Sequence, residues 1–141
     1  MQLKKYSLAG LETLINKLVS FDQESQRKLK SLDNKNIAIE IINLNFKLST
    51  TCKNDYFHLY IANKDSESLP HVKISATSDK FLKLLLKKVI DSDNPDNFQG
   101  IQINGDIEVA KNVQELIANL DIDWEEQMSL ITGDIIAHQI G

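Results

Sequence analysis

Hydrophobic residues near the start of the chain recur every three or four positions, the spacing of one helix face. The positions on that face are Leu8, Leu11, Leu14, Ile15, Leu18 and Val19. One side of this helix is therefore predicted to be buried. A second, mostly polar helix is expected over residues 26–32, with Asp22 before it as a capping residue.

From Ile37 onwards, hydrophobic residues alternate with polar ones, which is the spacing of strands that bury one face. Four strands fit residues 37–41, 44–48, 57–61 and 72–76, separated by polar turns. Short turns of this kind are typical of antiparallel neighbours, so we expect an antiparallel meander with one apolar and one wet face.

The remainder of the chain is predicted to be mainly helical. A helix is expected over 80–90, a fifth strand over 98–103, and two further helices capped by Asp106 and by Asp123 with Glu126. This order predicts an α+β fold, a five-stranded, largely antiparallel sheet covered by helices. The chain has 141 residues, of which 42% are hydrophobic and 26% charged, so residues 1–141 are expected to form one domain.

The predicted helix at 80–90 carries more hydrophobic side chains than one packing face requires. Its seven apolar residues cover about 240° of the circumference, whereas a stripe of about 100° suffices for packing on one core. The surplus either packs between the sheet and the last helices or meets a hydrophobic ligand, a membrane or another subunit. Lys83 and Lys87 share the remaining arc, where they either face anionic lipid headgroups or stay in water.

Groups able to perform catalysis are scattered along the chain. A single cysteine, Cys52, excludes an internal disulfide and suits a reducing, cytoplasmic compartment. The three histidines, His58, His71 and His138, lack metal-ligand spacing, and nothing places one of them as a base beside Cys52. No run of about 18 apolar residues predicts a membrane-spanning helix. We therefore expect no enzymatic activity, no metal and no cofactor.

Charge is distributed unevenly along the sequence. The net charge of −4 combines +6 over residues 1–90 with −10 over residues 91–141. The two parts either form oppositely charged surfaces, one suited to an anionic membrane, or attract each other within the fold. Nucleic acid is not an expected partner, because the acidic part would repel phosphate and no basic cluster is interleaved with aromatic residues.

Three runs late in the chain carry a resemblance to a known family: INGDIEVA at 103–110, LDIDWEEQ at 120–127 and GDIIAHQIG at 133–141. They closely resemble the bacterial ubiquinone-biosynthesis accessory factors of the UbiJ family. The whole chain is similar to the sterol-carrier-protein-type lipid-binding domain of that family. The resemblance implies a sheet and helices that enclose an apolar tunnel.

The resemblance also implies a function. Such a protein is non-catalytic, binds hydrophobic polyprenylated ubiquinone intermediates and assists the enzymes that modify them. Family members carry a coiled-coil-like C-terminal tail that meets a small helical partner, and this sequence lacks that tail. The alternative is a protein-interaction scaffold of the same pathway with no small ligand of its own.

A tunnel for a polyprenyl chain needs branched and aromatic side chains and few polar groups. The candidate lining residues are Phe46, Phe57, Leu82, Leu85, Leu86, Val113, Ile117, Trp124, Met128 and Ile131. Each of them could equally be plain core. Of the residues that match the family motif, Asp106 and Asp123 are interpreted as helix caps and Gly133 as a close packing point.

Overall fold

The fold is described from a computed structural model, in which residues 2–61, 69–86, 100–130 and 133 are described, with side chains from residue 8. The helices are α1 (Gln2–Ser20), α2 (Gln23–Ser31), α3 (Ser78–Leu86) and α4 (Ile107–Ala118). A further helix, α5, begins at residue 124 and is described through residue 130. The strands are β1 (Lys35–Ile41), β2 (Phe46–Lys53), β3 (Tyr56–Ile61), β4 (Val72–Ala76) and β5 (Gln102–Gly105).

The strands form one five-stranded sheet in the order β3-β2-β1-β4-β5. Three of the pairings are antiparallel, and β1 pairs with β4 in parallel. The predicted α+β fold with a largely antiparallel sheet is confirmed. The expected four-strand antiparallel meander is wrong for the fourth strand, since β4 lies beside β1 and does not pair with β3.

The free edge of β3 explains why β4 does not pair there. Side chains of α1 already hydrogen-bond to this edge. Asn16 accepts from the N–H of Phe57 at 2.8 Å and donates to the carbonyl oxygen of Phe57 at 2.9 Å. Glu12 Oε2 accepts from the N–H of Leu59 at 2.8 Å. Because these contacts satisfy edge groups that another strand would otherwise pair with, α1 takes the place of a sixth strand.

The turn residues set the lengths of the strands. Ile42–Leu44 forms a short 3-10 helix that ends at Asn45 with a φ of 49°, so β2 begins at Phe46 and not at residue 44. Between β2 and β3, Asn54 and Asp55 both have positive φ, as a two-residue hairpin turn requires. The strand β2 therefore extends to Lys53, further than the alternation predicted.

The core lies between one face of the sheet and the helices. The inward side chains of β1 and β4 lie side by side, with Ile37 next to Val72 and Ile39 next to Ile74. On the other side of the core, α4 buries Val113 and Leu116. Alternation along the strands thus produces one apolar face, as predicted.

Both expected caps are present at the later helices. Asp106 Oδ1 accepts from the N–H groups of Glu108 and Val109, and Asp123 Oδ1 accepts from the N–H of Glu126. By contrast, nothing in the described part of the chain lies within 4 Å of where a Cβ on Gly133 would be. No described residue therefore packs closely on Gly133, and close packing there stays a prediction.

Among the described residues, the basic and acidic segments are joined by one ion pair. Lys28 Nζ in α2 lies 2.9 Å from Glu115 Oε2 in α4, and both side chains are half-buried. This pair joins the basic and acidic parts of the sequence within the fold. Among the described residues, no helix is both long and apolar enough to cross a bilayer.

Candidate functional site

An apolar cavity of about 120 Å³ lies between the inner face of the sheet and four helices. Its floor consists of inward side chains from β1 to β4. Its walls come from α1, α3, α4 and the first residues of α5.

Seven of the ten predicted lining residues surround this cavity. They are Phe46, Phe57, Leu85, Val113, Ile117, Trp124 and Met128. Leu82 is half-buried and lines a shallow groove between α3 and α5 instead. Leu86 is 56% exposed, and Ile131 lies outside the described residues. Whether these side chains touch a ligand stays a prediction.

The two lysines that were assigned to a membrane-facing surface can be placed only in part. Lys83 is exposed on α3, next to the exposed Leu86 in the last turn of that helix. Lys87 lies outside the described residues. The predicted surplus of apolar surface on this helix is visible in part, since Phe81 and Leu84 are buried while Leu86 faces outward.

Sequence reasoning missed two polar residues in the cavity wall, Thr50 and Gln114. Both occupy positions whose spacing could have revealed them. Thr50 follows Phe46 and Leu48 in the alternation of β2, so its side chain points to the same face. Gln114 lies on the helix face that carries Ala110 and Ile117. A tunnel that is expected to be hydrophobic gives no reason to include polar residues in its lining.

Gln114 connects the two helices at the cavity wall. Its Nε2 donates to the carbonyl oxygen of Leu84 at 2.6 Å, which ties α4 to α3. The first turn of α3 is held separately: Asn43 Oδ1 accepts from the N–H of Ser78 at 2.9 Å. The described part of α3 is therefore attached in its first turn, at Ser78, and in its last turn, at Leu84, and the same last turn carries the exposed Leu86.

Two buried polar atoms of the lining residues have no hydrogen-bond partner in the described part of the protein. They are Oγ1 of Thr50, which is 1% exposed, and Nε1 of Trp124, which is 7% exposed. No ionisable side chain is among the described residues that line the cavity. The described lining can therefore surround an apolar molecule with an apolar surface.

The cysteine and the two described histidines contact neighbouring residues as parts of the fold. Cys52 is buried in the core, and that burial raises the pKa of its thiol to about 12, with a smaller contribution from the charge of Asp33. The ring Nδ1 of His71 accepts from the N–H of Asn36 at 3.0 Å, which extends the pairing of β1 with β4. His58 stacks at a tilt on Tyr56. Among the described residues, no cluster of His, Cys, Asp or Glu could hold a metal ion.

A family model describes most of the sequence: residues 15–118 match the SCP-2 sterol transfer family. The chain belongs to this SCP-2 family. No curated protein is similar enough in sequence to this SCP-2 chain to count as a match.

Solved structures agree with the SCP-2 fold. A structure described as the UbiJ-SCP2 ubiquinone synthesis protein matches with a TM-score of 0.63 at 16% identity, covering 81% of this chain and 95% of that one. Sterol carrier protein 2 from Yarrowia lipolytica in its apo form matches with a TM-score of 0.50 at 13% identity, covering 86% and 89%. A sec-alkylsulfatase from Pseudomonas sp. matches with a TM-score of 0.50 at 15% identity, covering 69% of this SCP-2 chain but only 14% of the enzyme. At these identities the likenesses establish the fold.

Proposed function

We propose that this chain is a non-catalytic accessory factor that binds hydrophobic polyprenylated ubiquinone intermediates and assists the enzymes of ubiquinone biosynthesis. The observation that carries the proposal is the apolar cavity between the sheet and α3, α4 and α5 in a chain of the SCP-2 family. The ubiquinone pathway is supported by the likeness to the structure named as a ubiquinone synthesis protein. Residues 1–141 act as a single lipid-binding domain.

The cavity volume sets how a long ligand enters. Pockets for molecules of drug size measure about 300–1,000 Å³, whereas a cavity of about 150 Å³ in another protein takes up benzene. At about 120 Å³, the present cavity holds one ring or a short piece of chain. A polyprenyl tail therefore requires α3 or α5 to move away from the sheet, which opens the space between Leu85 and Met128.

The absence of catalysis is supported by chemistry. A thiol whose pKa is raised to about 12 stays protonated at neutral pH, so Cys52 is not a nucleophile there. The described cavity lining has no ionisable group to transfer protons. The chemical steps belong to partner enzymes, which receive the intermediate from this protein in the cytoplasm, with a small helical protein as a further partner.

A direct experiment tests ligand binding. The protein is purified from cells that make ubiquinone, extracted with organic solvent and analysed by mass spectrometry. In parallel, the delipidated protein is titrated with a geranylated phenol, and the fluorescence of Trp124 is followed. Because Trp124 is the single tryptophan and lines the cavity, its signal reports on this site. Co-purified prenylated lipid and a saturable signal are expected; no lipid and no uptake would contradict the proposal.

A scaffold of the same pathway with no small ligand is the second candidate function. It is supported by large hydrophobic side chains on the surface, notably Phe21 at 76% exposed and Leu69 at 89% exposed. Sedimentation separates the two functions. A scaffold surface made for subunits associates at micromolar concentration without ligand, whereas a carrier remains unassociated and takes up the geranylated phenol.

Peripheral membrane contact is part of the proposal, because a carrier must collect a ligand of this kind from a bilayer. The exposed Lys83 and Leu86 on α3 combine a positive charge with an apolar side chain, as membrane-surface helices do. Co-sedimentation with phosphatidylglycerol vesicles, compared with phosphatidylcholine vesicles, measures this contact. Substitution of both residues by Gln is expected to reduce binding to the anionic vesicles.

A further inference from the structure

The wall of the cavity presents almost no polar atom to a bound molecule. Its surface is almost entirely apolar, and the hydroxyl of Thr50 and the indole N–H of Trp124 have essentially no accessible surface. An oxygen-bearing ring inside this cavity would lose its hydrogen bonds to water and gain none, which is costly, whereas a hydrocarbon chain has no such bonds to lose. The cavity therefore suits the tail of an amphiphilic lipid and not its polar end.

Polar side chains are accessible just outside, in the shallow groove between α3 and α5. Ser78 and Asp79 of α3 and Glu125 and Ser129 of α5 line this groove, and the last three of them are exposed. Pockets that hold molecules of drug size measure about 300–1,000 Å³. At about 470 Å³, the groove has room for an aromatic ring and offers it oxygen atoms to bind.

Met128 joins the groove to the cavity. Its half-buried side chain lines both spaces. Methionine is unbranched and flexible, so its side chain changes position at less cost than a branched one does. A lipid that passes Met128 has one end in the cavity and the other end in the groove.

The charge of the groove restricts the end that lies there. Among the described residues that line it, Asp79 and Glu125 are acidic and none is basic. The carboxylate of Asp79 accepts from the hydroxyl of Thr77, and this hydrogen bond lowers the pKa of Asp79, so the group is charged at neutral pH. A carboxylate accepts hydrogen bonds and donates none. The hydroxyl of a phenol or alcohol donates to such a group, whereas the anionic end of a fatty acid is repelled by it.

We infer that the lipid binds tail first: the end of its hydrocarbon tail passes Met128 into the cavity, and its neutral, hydroxyl-bearing ring stays in the groove between α3 and α5. This inference rests on the proposed lipid binding and deepens it. Because the groove is open to solvent, the ring remains accessible, and a partner enzyme acts on the ring while the tail is still held. Lipids with an anionic end bind more weakly.

The first experiment reads the orientation of the ligand in the wild-type protein. Two brominated probes are compared: 4-(ω-bromodecyl)phenol carries bromine at the end of the tail, and 3-bromo-4-decylphenol carries it on the ring. Bromine quenches tryptophan fluorescence on contact, and Trp124, the single tryptophan, lines the cavity. At saturation, and relative to 4-decylphenol, we expect the tail bromide to quench Trp124 more strongly than the ring bromide does. Equal quenching, or stronger quenching by the ring bromide, would overturn the inference.

The second experiment reverses one charge of the groove. The variant is Glu125→Lys, and the control is Glu126→Lys at the next residue of α5, which is exposed but lines neither the groove nor the cavity. Calorimetry measures the affinities of 4-geranylphenol and the 4-geranylbenzoate anion at physiological salt, where charges more than about 8 Å apart are largely screened. We expect the ratio of benzoate to phenol affinity to rise about 3- to 30-fold in Glu125→Lys and less than about 2-fold in Glu126→Lys.

The outcomes separate this inference from the proposed function. If the probes bind but the ratio changes equally in both variants, the polar end does not lie in the groove, and the inference is overturned while lipid binding stands. Tighter binding of the benzoate than of the phenol by the wild-type protein also overturns it. If no probe binds the wild-type protein, the proposed function fails together with the inference. The bromine comparison needs no substitution, so it does not depend on whether a variant folds.

Discussion

Filling the cavity should stabilise the protein and block its ligand. Ala110 of α4 is 1% exposed and lines the cavity, so Ala110→Leu places three more carbon atoms beside the empty space. Burial of three carbons contributes about 2.4 kcal/mol, and holding a leucine in one rotamer costs about 0.5–1 kcal/mol. Independently, a void of 120 Å³ costs at most about 3 kcal/mol at 24 cal/mol per Å³. We expect the free energy of unfolding to rise by about 1–2 kcal/mol.

The control is a second alanine of the same helix. Ala118 is 4% exposed but does not line the cavity, so Ala118→Leu overpacks a filled region and should lower the free energy of unfolding by about 1–3 kcal/mol. For a chain of this length, the expected rise for Ala110→Leu corresponds to a melting temperature about 3–7 °C higher.

The assay is urea and thermal unfolding followed by circular dichroism, combined with titration of 4-geranylphenol. Ala110→Leu should gain stability and lose at least most of its affinity for the probe. Equal destabilisation by both substitutions would refute the reasoning, since it would mean that the space beside Ala110 is not available. Unchanged binding in a stabilised Ala110→Leu would show that the ligand enters elsewhere.

Three further predictions concern stability. Thr50→Val should raise the free energy of unfolding by about 1 kcal/mol, since the buried hydroxyl makes no hydrogen bond with described residues. A lower free energy of unfolding in urea would instead mean that the hydroxyl has a hydrogen-bond partner. The pKa of the Cys52 thiol is about 12 in the folded protein and about 9 in the unfolded chain. Because the unfolded chain loses this proton first, the free energy of unfolding should fall as the pH rises from 9 to 12, by as much as about 4 kcal/mol. Cys52→Ala should flatten that slope in a pH series of urea unfolding, and an unchanged slope would contradict the raised pKa. Gly105→Ala should destabilise the protein strongly, because Gly105 has a φ of 114° and a Cβ there would collide with the carbonyl oxygen of His71. Gly10→Ala should instead stabilise the protein by about 1 kcal/mol, because Gly10 lies in α1 with no described atom within 4 Å of the added Cβ. Melting temperatures that move in the same direction would refute this contrast.

Local spacing was sufficient for most of the elements. The alternation at Phe46, Leu48 and Thr50 predicts which face of β2 is buried, because successive side chains of a strand point to opposite faces. The caps at Asp106 and Asp123 were predictable because a carboxylate directly before a helix lies within reach of the unpaired N–H groups of the first turn. Such features depend on residues within a few positions of each other.

The candidate site was predictable only as a set of hydrophobic side chains. Val113 and Leu116 look equivalent in the sequence, yet Val113 lines the cavity and Leu116 is packed core. Thr50 was overlooked because a polar residue did not fit the expected lining. Leu86 was assigned to the tunnel but faces outward at the end of α3.

What the sequence by itself determined is therefore the type and buried face of most helices and strands, and the scarcity of catalytic groups. Tertiary structure alone decided that β4 pairs with β1, because β3 already has Asn16 and Glu12 of α1 on its free edge. It alone also decided where an empty space remains. Strand partners and cavities depend on distances between elements far apart in the chain, and local periodicity carries no information about those distances.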